Sequence, residues 1–189
     1  MAPAVVFAYL NTAHAHDAEA GRQEAKEACA GCHGPDGNSQ LPTVSSLAGQ
    51  LPRYLILALY QFRSGHRKSE QMTPSAAELS DEDLGNLAAY YAAQKPAPPA
   101  RSTDEQKTAA ARQLAEADHC TQCHGPDLTG QEHVPRLAGQ HFEYLEQQLR
   151  GFRAATRGDI DGNMTSAAEP LSDSDIDLLA EYISDLSTP

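Results

Sequence analysis

Apolar positions recur at helical spacing in three stretches of the chain, and then do so again in the same order. Leu51, Tyr54, Leu55, Ala58, Leu59 and Phe62 fall at i, i+3, i+4, i+7, i+8 and i+11, one stripe of a helix that begins near Leu51. Tyr144, Leu145, Leu149 and Phe152 repeat that stripe on a helix beginning near His141. Leu84, Leu87, Ala88 and Tyr91 mark a further helix, matched by Ile176, Leu179, Ala180 and Ile183. Ser80 and Ser172 stand before these two as N-caps, with Asp and Glu in the first turn. An earlier helix is expected over 18–30 and again over 103–120, where Thr103 and Gln106 have capping-box spacing. No stretch alternates with the period of a strand, so the chain reads as all-α. The loops at 34–46, 65–79, 125–136 and 154–171 are long for a plain bundle. They make sense if they wrap a prosthetic group.

The doubling extends to the residues themselves. Cys29-Ala30-Gly31-Cys32-His33-Gly34-Pro35-Asp36 matches Cys120-Thr121-Gln122-Cys123-His124-Gly125-Pro126-Asp127. Leu47-Ala48-Gly49-Gln50 recurs at Leu137-Ala138-Gly139-Gln140, and Tyr54-Leu55 at Tyr144-Leu145. Phe62-Arg63, Met72-Thr73 and Leu79-Ser80-Asp81 recur at Phe152-Arg153, Met164-Thr165 and Leu171-Ser172-Asp173. The matches keep their order at offsets of 90 to 92 residues, which is the mark of a duplicated domain. Lys95-Pro96-Ala97-Pro98-Pro99-Ala100 cannot continue a helix and reads as a spacer. The expected boundaries are therefore 16–94 for the first domain, 95–100 for the linker and 101–189 for the second.

Composition narrows the class. The 189 residues hold 14 Lys+Arg against 26 Asp+Glu, a net charge of -12, which disfavours nucleic acid and anionic membranes as partners. With 4 Phe, 7 Tyr and no Trp, two small domains need something more than side chains at their centres. The apolar run Ala2–Leu10 is too short for a membrane span of about 20 residues, so no transmembrane segment is expected. Residues 1–15 carry no charge, and Ala13-His14-Ala15 has the form of a signal-peptidase site. The positive n-region is missing, so 1–15 reads as a signal peptide or its remnant, with the mature chain beginning His16-Asp17.

All four cysteines, Cys29, Cys32, Cys120 and Cys123, belong to two C-x-x-C-H motifs, the signature of c-type haem attachment. Two thiols at this spacing meet one edge of a porphyrin, adding across its vinyl groups, and the following His33 or His124 supplies an imidazole nitrogen to iron. A redox C-x-x-C belongs in a βαβ context, which is absent. A four-cysteine zinc site would join pairs that here sit in separate repeats. A disulfide would leave the paired histidine unexplained. Two covalently bound haem c groups, with iron, are therefore the expected cofactors.

Met72 and Met164 lie 39 and 40 residues after their histidines, at equivalent repeat positions and in polar loops. They are the expected sixth ligands, since Met/His axial pairs mark electron-transfer cytochromes. The competitors His66, His119, His133 and His141 have no histidine at their repeat equivalents and read as surface residues or as residues that support the ligands without binding iron. His14 and His16 read as bystanders.

The ordered set of C-x-x-C-H-G-P-D, L-A-G-Q, an aromatic-bearing second helix, M-T and L-S-D, present twice over about Ala18 to Leu186, resembles the cytochrome c4 family of dihaem class I cytochromes c. It is also similar to the dihaem subunit of flavocytochrome c sulfide dehydrogenases. The resemblance implies two cytochrome c folds related by a pseudo-two-fold, with haem propionates facing each other across the interface. It implies a periplasmic electron carrier. Expected partners are a cytochrome oxidase, a cytochrome bc1-type donor or a flavoprotein dehydrogenase. The family usually has a Pro two residues before the Leu of L-A-G-Q, whose carbonyl accepts from the axial histidine. Pro135 fits this pattern, but Ser45 stands there in the first half.

The leading expectation is an electron carrier without substrate chemistry of its own. A permanent redox subunit of an enzyme complex is the alternative, and a dihaem peroxidase or thiosulfate dehydrogenase is disfavoured by two equivalent methionines. Residues 1–100 hold 10 acidic and 7 basic side chains, and residues 101–189 hold 16 and 7. The C-terminal haem is therefore expected to have the lower potential, and the C-terminal half to be the preferred face for a basic partner.

Overall fold

The computed structural model describes residues 16–99 and 105–188. The expected export segment and Thr103 lie outside the described residues.

Helix α1 (Ala18–Glu24) starts on Asp17, whose carboxylate accepts the N–H groups of Glu19 and Ala20. It does not run unbroken to Ala30. Ala25–Cys29 widen into a π-helical turn, and α2 (Ala30–His33) comes directly after it. A π turn inserts one extra residue, so it rotates the downstream residues relative to the buried face. The second half reaches its equivalent motif differently. Helix α6 (Glu105–Ala117) stops, His119 takes a left-handed conformation at φ 61, and α7 (Cys120–His124) restarts from it.

Helices α3 (Pro52–Arg63) and α8 (Phe142–Arg153) carry the predicted aromatic stripes. Pro52 sits in the first turn of α3, where a missing N–H costs nothing. Helices α5 (Asp81–Ala92) and α10 (Asp173–Asp185) open with full capping boxes, Ser80 with Asp83 and Ser172 with Asp175. The stretches read as loops over 65–79 and 154–171 each contain a short helix, α4 (Met72–Ala76) and α9 (Asn163–Ala168). Pieces of 5 and 6 residues are too short to display a period, which is why the pattern misses them. Among the described residues there is no strand, only an isolated bridge between Gln131 and Val134.

Each half builds its own core by packing its first and second helices on its last. In the first half Ala25, Leu55, Leu87, Ala88 and Tyr91 are buried together. In the second, Ala111, Ala115, Leu145, Phe152, Ile176, Leu179 and Ile183 do the same. Helix α1 approaches α5 so closely at Gly21 that a Cβ there would lie 2.0 Å from the carbonyl oxygen of Asn86. The repeated Phe-Arg pair has a shared task. Phe62 and Phe152 are buried, while Arg63 and Arg153 donate to the carbonyls of Leu79 (2.7 Å) and Leu171 (2.9 Å). The same guanidiniums pair with Asp81 and Asp173, latching the end of each middle helix to the start of the last.

Candidate functional site

The two C-x-x-C-H turns end in matching geometry. His33 and His124 occupy the last positions of α2 and α7, and the chain turns away at Gly34 (φ 80) and Gly125 (φ 82), a region that favours glycine. Both imidazoles are buried, at 7% and 4% exposure. His33 Nδ1 donates to the carbonyl of Ser45 at 2.8 Å, and His124 Nδ1 to that of Pro135 at 2.9 Å. A carbonyl only accepts, so Nδ1 holds the proton and Nε2 presents its lone pair, the form that ligates a metal. Burial pushes both imidazoles below their ordinary pKa range, against the opposing pull of those carbonyls, and keeps them neutral. Ser45 thus gives its carbonyl as Pro135 does, and the missing proline leaves this geometry intact.

None of the four cysteines pairs with another in a disulfide; Cys29 and Cys120 are half-buried, Cys32 and Cys123 exposed. The carbonyl of each outer cysteine is tied down by a side chain from the loop after it. Ser39 Oγ donates to Cys32 at 2.8 Å, and Gln131 Nε2 donates to Cys123 at 2.9 Å. Sequence matching does not reveal this pair, because different residue types do one job. Met72 opens α4 and Met164 lies in the first turn of α9, both half-buried, so they stand on short helices and not in plain loops.

The remaining histidines separate. His66, His119 and His133 are exposed; the first two bond locally to Ser64 and Gln122. His141 is no surface residue. Its Nε2 lies 3.0 Å from the Ser39 carbonyl and 3.3 Å from Ser46 Oγ, across the junction between the halves.

That junction is built from the L-A-G-Q motifs. Gln50 Nε2 donates to the Arg136 carbonyl at 2.9 Å while its Oε1 accepts the Arg136 N–H at 2.8 Å. Gln140 does the same to Ser46, at 2.9 and 2.8 Å. Ser46 and Arg136 are repeat equivalents, so the two clasps form a pseudo-two-fold pair. The Arg136 side chain, 5% exposed, bonds the carbonyls of Ala138 and, at 2.8 Å, Ala48 of the other half. Glutamine at the same place in both motifs was the visible signal for this contact.

A second set of cations gathers beside it. Arg67 donates to Tyr144 Oη (3.1 Å) and Gln148 Oε1 (3.0 Å), and Arg157 reaches the same Gln148 oxygen at 2.6 Å. Their guanidiniums lie over Phe62 and Phe152, 4.5 and 4.2 Å from the ring centres. Burial opposes ionisation of Tyr144, yet Arg67 and Arg157 outweigh it and hold the phenol below its ordinary range. Among the described residues neither arginine pairs with a carboxylate, and Arg157 Nε is buried without a partner. Desolvated cations call for anions. A prosthetic group bearing carboxylates, as haem does in its propionates, fits this place. The paired cysteines and the neutral imidazoles fit the rest of it.

Residues 108–187 match the family model described as Cytochrome c, and residues 16–90 match the one described as Cytochrome C oxidase, cbb3-type, subunit III. The chain is 40% identical over 182 residues to cytochrome c4 of Thiocapsa roseopersicina, covering 90% of this chain and 93% of that protein. It is 36% identical over 180 residues to the thiosulfate dehydrogenase electron acceptor of Stutzerimonas stutzeri (strain A1501), covering 89% and 83%. The crystal structure of reduced recombinant cytochrome c4 from Pseudomonas stutzeri aligns with a TM-score of 0.83 at 36% identity, covering 91% of this chain and 100% of that one. Likeness of this extent, on an all-helical chain with two equivalent C-x-x-C-H turns, makes the protein a member of the cytochrome c4 family, a tandem of class I cytochrome c domains carrying two covalently bound haem c groups.

Proposed function

We propose that this protein is a periplasmic electron carrier that passes single electrons between respiratory partners and performs no substrate chemistry of its own. One haem is attached through Cys29 and Cys32 and ligated by His33 and Met72. The other is attached through Cys120 and Cys123 and ligated by His124 and Met164. The domains are residues 16–94 and 101–189, joined by 95–100, with 1–15 as the export segment. Its partners in this reading are redox proteins: a cytochrome oxidase, a cytochrome bc1-type donor or a flavoprotein dehydrogenase.

The observation that carries this reading is the equivalence of the two sites. Each holds a buried imidazole with Nδ1 on a loop carbonyl and Nε2 free, in a half that also presents one methionine at the same repeat position. Haem c supplies a one-electron couple between Fe(III) and Fe(II) when bound. The chain's own residues would hold it: His33 and His124 with their free Nε2 atoms, Met72 and Met164 with their sulfurs, and the cations at the junction facing its carboxylates. Two methionine ligands leave no open coordination position for a substrate, and a thioether favours Fe(II), raising the potential.

The test is spectroscopic and kinetic. The purified holoprotein should be reduced by ascorbate at both haems, bind no carbon monoxide when ferrous, and be reoxidised by oxidase-containing membranes. A native haem that binds carbon monoxide, or oxidation of thiosulfate by the chain alone, would refute the carrier reading. A second reading is favoured by the relative that accepts electrons from thiosulfate dehydrogenase. In it the chain is the electron-accepting subunit of an oxidoreductase complex, and a stable stoichiometric complex with the dehydrogenase on purification would select it.

A further inference from the structure

The methionines of the two halves are held by different chemistry. Helices α4 and α9 begin with N–H groups that have no partner within the helix. In the first half Ser69 Oγ accepts the Met72 N–H at 3.1 Å and the Gln71 N–H at 3.3 Å. The Ser69 N–H in turn donates to Thr73 Oγ1 at 3.0 Å. In the second half Asp159 does this work. Its Oδ2 accepts the Met164 N–H at 2.6 Å, and its Oδ1 accepts the Thr165 hydroxyl at 2.9 Å. The methionine-threonine pair is common to both halves, and so is a side-chain acceptor on the methionine N–H. The acceptor is a neutral hydroxyl in one half and a carboxylate in the other.

Asp159 is half-buried, and among the described residues no cation pairs with it. Its charge is therefore less screened than those of the exposed acids that make up most of the C-terminal excess. The buried Arg136 does not offset it selectively, because that guanidinium bonds carbonyls of both halves.

We propose that Asp159 is the positioning residue for the C-terminal methionine ligand, and that its charge, set against the neutral Ser69, holds the C-terminal haem at the lower potential. This rests on the ligation by Met72 and Met164 proposed above. The carboxylate locks the Met164 backbone through a charge-assisted bond, which is shorter and stronger than the hydroxyl's bond to Met72. A fixed negative charge bonded to the backbone of the methionine ligand favours Fe(III), so the electron rests on the N-terminal haem. At this range, between water-like and interior dielectric, the effect on the Fe(III)/Fe(II) ratio is about three- to tenfold. That corresponds to about 30–60 mV at 59 mV per decade for one electron.

The test uses the full holoprotein, with haem-resolved potentials from NMR and the sulfur-to-iron charge-transfer band as separate readouts. Asp159→Asn keeps an acceptor for the Met164 N–H and removes the charge. It should raise the C-terminal potential alone by the stated factor, keep the band, and do so even in about 1 M salt, where the screening length is about 3 Å. Asp159→Ala should raise the potential and also make half of the band fade at a lower temperature than in the native protein. Ser69→Asp should lower the N-terminal potential, and it reports on the same idea if the Asp159 variants do not mature. Met164→Ala separates the two readings. Half the band lost in Met164→Ala, together with an unmoved C-terminal potential in Asp159→Asn, overturns the role of Asp159 alone. An undiminished band in Met164→Ala overturns the ligation and the positioning role together.

Discussion

Gln50 and Arg136, 86 positions apart, are joined at two points: the glutamine amide gives a hydrogen to the arginine's carbonyl and takes one from its N–H. Gln140 and Ser46 repeat the arrangement from the other side. Each glutamine treats the opposite backbone as a strand would treat its neighbour. The paired clasps set the mutual orientation of the halves without a sheet.

Gln50→Ala should leave the Arg136 N–H and carbonyl buried and unpaired, and destabilise the fold by about 1–3 kcal/mol. Gln140→Ala should cost less, because Ser46 is only half-buried whereas Arg136 is buried. Urea unfolding of the holoprotein monitored by circular dichroism checks the order. Equal midpoints for both variants and the native chain would remove the clasps from the forces that hold the halves together.

Replacing the cysteine pair of one half should delete one haem and spare the other. Cys120→Ala with Cys123→Ala should show a single covalent haem by mass spectrometry under denaturing conditions. The native chain should show two.

Met72→Ala and Met164→Ala should each remove half of the sulfur-to-iron charge-transfer absorption and open one ferrous site to carbon monoxide. A full band in both variants would assign the sixth ligands elsewhere, and His141 is then constrained by its bonds to Ser39 and Ser46.

Arg67→Gln and Arg157→Gln should each lower at least one haem potential, since a half-buried cation favours Fe(II) and its removal tips the balance toward Fe(III). The shift should survive high salt because these guanidiniums are half-buried, each lying over a buried ring, Phe62 or Phe152. Potentiometric titration at low and high ionic strength measures it.

Acid should weaken the capping boxes in a defined direction. The Ser80 and Ser172 hydroxyls and N–H groups hold Asp83 and Asp175 below the usual carboxylate range. The folded pKa values are depressed, so the unfolded chain takes up protons first as pH falls. The stabilisation is present above an unfolded pKa of about 4 and lost as pH drops through the folded values. Ser172→Ala should cost about 1 kcal/mol at neutral pH and flatten that acid-side loss. Melting temperatures between neutral pH and pH about 3 test this.

The sequence alone determined whatever is written in periodicity or in a motif. The stripes on α3, α5, α8 and α10 follow from burying one face of each helix. The serines that cap α5 and α10 follow from the need to satisfy first-turn N–H groups. The haem chemistry follows from thiols and imidazole at fixed covalent spacing, and the duplication made both legible twice. Tertiary structure decided what depends on residues far apart in the chain or unlike in type. The π turn at Ala25–Cys29 and the left-handed His119 bring equivalent motifs into place by different backbone routes, and neither has a compositional mark. Ser39 and Gln131, or Ser69 and Asp159, share a task without sharing a side chain, so alignment of the repeats passes over them. His141 and Arg136 carry no repeat signal. Their roles exist only because folding removes them from water, where a donor must find an acceptor, and each finds one on the other half of the molecule.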